Sequence, residues 1–152
     1  MAIIFSKGCE YGIQATLYIG VQKARRVGIR EIADALDIPV HFLAKILQAL
    51  SEKHILASFK GSKGGFILNA PPEDIRIINI VEAIDGMELF SNCVLGFPDC
   101  KDTHPCPAHA SWGAARDILF KMLSTETLAD LMTTSAKKIS AVKRKNGRKK
   151  AS

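Results

Sequence analysis

Three of the four cysteines of this 152-residue chain fall in one short stretch, Cys93-VLGFPD-Cys100-KDTHP-Cys106-PA-His109. Thiols gathered this closely suit three kinds of chemistry. As thiolates they are the usual ligands of iron–sulfur clusters, with imidazole or carboxylate as a less common substitute. With His109 they also make a Cys3His set that structural zinc accepts, although zinc sites usually show paired C-x2-C knuckles and none occurs here. Unliganded, a pair of them can oxidise reversibly to a disulfide. A metal with an open position could also serve hydrolysis. Against an enzyme, the chain offers no phosphate-binding glycine loop and no nucleophile–base pair, and the only carboxylates near the cysteines are Asp99 and Asp102. The expectation is a sensor or a structural site, with no catalytic residues.

The segment itself is poor in helix and strand formers, since prolines, a glycine and aspartates separate the thiols. It reads as a loop over residues 91–106, so its flanks must position it. Downstream, Trp112, Ala115, Ile118, Leu119 and Met122 recur at three and four and predict a helix over 107–123, followed by another turn of helix around Leu128, Leu131 and Met132. A small domain with such a helix on one side usually buries the apolar stripe against a twin, so residues 107–136 are expected to dimerise the chain.

Upstream, residues 1–90 read as one domain. Tyr11, Ala15 and Tyr18 with Ile13, Leu17 and Val21 predict a first helix over 7–26. A short helix from Ile29 to Leu36, a turn at Asp37-Ile38 and a helix from His41 to Lys53 make a helix-turn-helix. The second of these helices has an apolar face of Phe42, Leu43, Ile46, Leu47 and Leu50. Val40, His41, Ala44, Lys45 and Gln48 remain for the major groove of double-stranded DNA. Between Ile55 and Asn69, weak alternation and three glycines predict a β-hairpin, and a hairpin directly after a reading helix is a wing. Lys60, Ser62 and Lys63 at its tip are candidates for phosphate contact. Ile77, Ile78, Val81, Ala83 and Ile84 then predict a closing helix stopped at Gly86. The fold expected is mainly α with a small β-hairpin: a winged helix-turn-helix domain plus a long C-terminal dimerisation helix.

The net charge of +6 divides unevenly. Eight of the 21 basic residues lie in 137–152, which contains no acid, leaving 13 basic against 15 acidic in the rest. The body is nearly neutral, so any nucleic-acid surface on it is a local patch. The basic tail reads as disordered, either solubilising or a non-specific DNA-binding arm. No apolar run approaches the ~18 residues of a membrane span, and Lys7 and Glu10 interrupt the N-terminal apolar stretch. The expected location is cytoplasmic, where cysteines more often serve metals or redox chemistry than structural disulfides.

Taken together, these residues resemble the IscR, NsrR and CymR regulators, winged helix-turn-helix transcription factors of the Rrf-two family. The resemblance runs from Phe5 to about Met132. It is carried by Ser6-Lys7-Gly8 with Glu10-Tyr11-Gly12, Ile32-Ala33, Phe42-Leu43, Gly61 with Gly64-Gly65-Phe66, the three-cysteine loop, and Thr127-Leu128-Ala129-Asp130-Leu131. It implies a homodimeric regulator, repressor-like, whose operator binding is controlled by an iron–sulfur cluster (2Fe-2S or 4Fe-4S) on Cys93, Cys100 and Cys106, sensing iron, redox state or nitric oxide. Cluster-binding relatives commonly have five residues in the first gap, and this loop has six; other relatives lack the cysteines and sense by other means. Three candidates stand for a fourth ligand. His109 would share a helix face with Cys106 if the helix began at Pro107, and relatives with a histidine at this offset use it. Glu10 matches a carboxylate that in some relatives reaches the partner's cluster. Cys9 is suited by softness alone, but a lone cysteine on a helix more often packs as a small core residue.

Overall fold

The computed structural model describes residues 4–135; the expectations placed on 137–152 lie outside them. Helix α1 spans Lys7–Gly20, α2 Ile29–Leu36 and α3 Val40–Glu52. Strands β1 (Leu56–Phe59) and β2 (Gly65–Leu68) pair antiparallel, with Leu56 opposite Leu68 and Phe59 opposite Gly65. Helix α4 is Ile77–Asp85, α5 is His109–Thr125, and residues 128–135 form a sixth helical segment, α6. Fold and class are those the patterning predicts: mainly helical, with a two-stranded hairpin. Among the described residues no helix is long and apolar enough to cross a membrane.

Ser6 caps α1, its hydroxyl accepting from the Cys9 N–H at 3.1 Å. The helix ends at Gly20, not near Arg26 as its periodicity suggests. Gly20 lies against Leu128, Met132 and Leu68, and a β-carbon there would come within 3.1 Å of the Met132 sulfur. The chain then reverses through Lys23 and Ala24, both at positive φ. Arg25 pairs with Glu31 at 2.6 Å beyond the turn. The reversal brings Val27 alongside Phe66, with main-chain hydrogen bonds of 3.0 and 2.9 Å, and the hairpin gains a third edge. Gly65 makes this possible. Its φ is +144°, and a β-carbon would lie 2.8 Å from the Val27 carbonyl oxygen.

The helix-turn-helix packs by the residues its periodicity assigns. Ile32 and Ala33 of α2 and Leu43, Ile46, Leu47 and Leu50 of α3 are buried, while Phe42 is half-buried. Asp37 sits in the left-handed region and Ile38 plugs the turn. Helix α4 buries Ile77, Ile80 and Val81; Ile80, absent from the predicted set, takes the core position, while Ile78 stays half-buried. Gly12 lets α1 approach α4 so closely that a β-carbon there would meet the tip of Ile84 at 2.1 Å.

A second, smaller core joins α1, α4 and α5 through Cys9, Ile77, Val81 and Leu123, with Phe5, Phe90 and Leu119 around it. Full burial of a side chain such as Leu123 contributes about 1.5–3 kcal/mol. The C-terminal end of α5 is clipped to the start of α4. Ile77 N–H donates to Glu126 at 3.1 Å, Leu128 N–H to Ile75 at 2.8 Å, and the Arg76 guanidinium to the Thr125 carbonyl at 2.8 Å.

Candidate metal centre and nucleic-acid interface

Between α4 and α5 the chain makes a 3-10 turn at Glu88–Phe90 and then two tight turns. One is closed by Gly96 N–H on the Cys93 carbonyl at 3.0 Å, the other by His104 N–H on Lys101 at 2.9 Å. The Trp112 indole N–H donates to the Asn92 carbonyl at 2.9 Å and fastens the loop entrance to α5. These turns fold a segment that is extended in sequence onto itself. The sulfurs of Cys93, Cys100 and Cys106 all lie within 4.8 Å of one another, each half-buried. Cys93 and Cys106 are 3.6 Å apart.

His109 is the first residue of α5, with Cys106 just before the helix, not inside its first turn as a start at Pro107 would place it. Even so, the His109 Nδ1 stands 3.0 Å from the Cys100 sulfur. Its Nε2 faces the Asp102 carboxylate at 2.9 Å. A carboxylate on one ring nitrogen fixes the tautomer and raises the basicity of the other. Accordingly Asp102, and secondarily Cys100, raises the pKa of His109. The Cys106 N–H and then His109 lower that of the Cys100 thiol to about 7, which raises its thiolate share at neutral pH above that of an ordinary cysteine. Burial, and then the neighbouring Cys100, push Cys106 upward. Three converging sulfurs with an oriented imidazole beside them are a donor set that fits a thiolate-held iron–sulfur group.

The two rival fourth ligands sit elsewhere. Glu10 is paired with Lys7 at 3.0 Å in the first turn of α1. Cys9 is fully buried in the second core, and burial first, then Asp85 and Glu10, push its thiol up to about 12. It packs, as a lone helical cysteine is expected to. His54 and His104 are exposed.

On α3, Val40, His41, Ala44, Lys45 and Gln48 are all exposed on the face opposite the core, and the Gln48 amide donates to Glu52 at 3.0 Å. Lys60, Ser62 and Lys63 are exposed at the hairpin tip. One cation went unforeseen. Arg26 lies over the Phe59 ring, 3.8 Å from its centroid, and donates to the Lys63 carbonyl at 3.3 Å. Its sequence position, before the reading helices, carries no hint of the wing.

The residues predicted for dimerisation divide. Ala115, Ile118 and Met122 form an exposed stripe on α5, Ile118 being 72% exposed and Met122 50%. Trp112 and Leu119 turn toward the molecule's own body, Trp112 onto Asn92 and Leu119 into the second core. They still border an open apolar groove of about 470 Å³ that Ala115 also lines.

Residues 5–134 match the Rrf2 family model, described as an iron-dependent transcriptional regulator. A helix-turn-helix-type transcriptional regulator of Aquifex aeolicus is 31% identical over 144 residues, 93% of this chain and all of the relative. The regulator NsrR of Geobacillus kaustophilus is 27% identical, covering 91% of this chain and 95% of its own. The fold matches that of CymR, the global cysteine regulator of B. subtilis, with a TM-score of 0.75 at 20% identity, over 88% of this chain and 98% of that one. The family and these relatives are regulators of transcription, not enzymes. A winged helix-turn-helix fold, a model match over nearly all the described residues and this level of identity place the chain in the Rrf2 family of transcriptional regulators.

Proposed function

We propose that this regulator is a homodimer whose binding to a double-stranded DNA operator is controlled by an iron–sulfur cluster on Cys93, Cys100, Cys106 and His109. The observation that carries the reading is the convergence of three sulfurs within 4.8 Å, with the His109 Nδ1 at 3.0 Å from Cys100. The iron-dependence in the family's description supports it. When bound, the cluster supplies a group whose integrity depends on iron, oxidants and nitric oxide. The chain's own residues do the rest. Asp102 holds the His109 ring so that Nδ1 faces the sulfurs, and the Cys106 N–H steadies the Cys100 thiolate. Trp112 ties the loop to α5, and α5 packs through Leu119 and Leu123 on α4. In this reading Val40, His41, Ala44, Lys45 and Gln48 enter the major groove while Lys60, Ser62 and Lys63 meet phosphates.

The 3.6 Å separation of Cys93 and Cys106 supports a second reading, a cluster-free regulator that senses oxidants by closing that pair into a disulfide. Purification without oxygen separates the two. Brown protein containing iron and acid-labile sulfide, whose affinity for selected operator DNA changes when the cluster is destroyed, supports the first. Colourless protein whose DNA affinity follows thiol oxidation replaces it with the second, and stoichiometric zinc overturns both.

A further inference from the structure

Helix α5 carries one more charged side chain to the cysteine cavity. Arg116 follows Trp112 by four residues and His109 by seven, so the three share one face of the helix. All three line a cavity of about 40 Å³ together with Cys93, Cys100 and Cys106. The Nε of Arg116 is buried and has no hydrogen-bond partner among the described residues. Among the described residues, no ion pair joins Arg116 to a carboxylate. The side chain runs back toward the start of its helix, as helical side chains do. It passes Gly113, where a β-carbon would stand 3.9 Å from Nη2.

A buried guanidinium donor without an acceptor is costly, and native structures seldom leave one so unless something else is bound there. Among the side chains that line the cavity the acceptors are the three sulfurs, the Ser91 hydroxyl and the His109 ring, and the sulfurs are the ones that carry negative charge as thiolates. Three thiolates outweigh the positive charge of either oxidised cluster core, so the assembled site is a half-buried anion. We propose that Arg116 donates a charge-assisted hydrogen bond from Nε to a sulfur of that anion and so raises its tendency to accept an electron. Hydrogen bonds to the sulfurs and the net charge of the site are among the main settings of such potentials. Arg116 is thereby a positioning and tuning residue, distinct from the ligands. The inference rests on the iron–sulfur reading given above.

The test uses the full chain, reconstituted without oxygen, as wild type, Arg116→Lys and Arg116→Met. The Met variant is expected to hold its cluster with a shorter lifetime and to be about tenfold harder to reduce, a shift of about 59 mV for one electron. Arg116→Lys keeps the charge but not the Nε donor and is expected to fall between. Metal-free Arg116→Met is expected to melt no lower than metal-free wild type, because it removes a buried donor without a partner and, among the described residues, no ion pair. A wild-type potential and lifetime in Arg116→Met overturns the assignment and leaves the cluster reading standing. So does a metal-free variant that melts well below wild type, which would make Arg116 a structural residue. A wild-type chain that assembles no iron and sulfide overturns both.

Discussion

At the scale of single residues, the fold separates thiols poised to react from one that is protected. His109 holds Cys100 and Asp102 from opposite sides of its ring. Replacing it with Ala is expected to change the absorption spectrum of the reconstituted protein and shorten the cluster's lifetime, with Glu10→Ala and Cys9→Ala unchanged. Loss in Glu10→Ala with a normal His109→Ala spectrum would instead imply a site shared between subunits. Cys9 gives a pH prediction. Its thiol is raised from 9.0 to about 12, mainly by burial. Below the lower value it is neutral folded and unfolded, and stability is unaffected. Above it the unfolded chain ionises first and binds fewer protons than the folded one, so stability falls as pH rises from about 9 toward 12. Cys9→Ala removes that contribution. Thermal melts of metal-free protein between about pH 8 and about pH 10 should therefore drop less steeply in the variant than in wild type. Equal slopes would mean that Cys9 is not desolvated as the second core requires.

At the scale of elements, the proposed DNA interface draws on the wing and the reading helix separately. Lys60 and Lys63 occupy the tip of a hairpin tied by Val27 to the body. Replacing either by Ala is expected to weaken binding to all sequences and to flatten the salt dependence by about one unit of log–log slope per lysine. A double variant that binds normally across salt concentrations would remove the wing from the interface. Helices α2 and α3 were legible because Ile32, Leu43, Ile46, Leu47 and Leu50 repeat at helical spacing and face one core. The end of α1 was not, because Val21 continues the periodicity while the chain reverses through Lys23 and Ala24 at positive φ, which that spacing does not encode. The three cysteines announced their chemistry by type, but their convergence depends on turns at Gly96 and His104 that spacing does not encode. Asp102 was visible as a carboxylate near the thiols, not as the partner of His109. Arg116 could have been found, since it falls in the helical repeat that begins at His109.

At the scale of the whole molecule, α5 shows two faces with different expected behaviour. A charge at Ile118, 72% exposed, is expected to split the dimer and leave a folded, monomeric chain. A charge at Leu119 lies against the second core and is expected to unfold the protomer, lowering its melting temperature sharply. Sedimentation with far-UV circular dichroism distinguishes the outcomes, and a wild-type monomer at micromolar concentration would refute the dimer.

The clip at Ile75, Arg76 and Ile77 has a mechanical consequence. It pins the far end of α5, whereas the near end is held by the loop that carries the thiols. The helix is then a lever with its fulcrum at Thr125. Its 17 residues give an arm of about 25 Å. A displacement of about 1 Å at His109 swings it through about 2° about that fulcrum. In the proposed twofold assembly built on α5, each arm would bear on its twin, and the two rotations are expected to add.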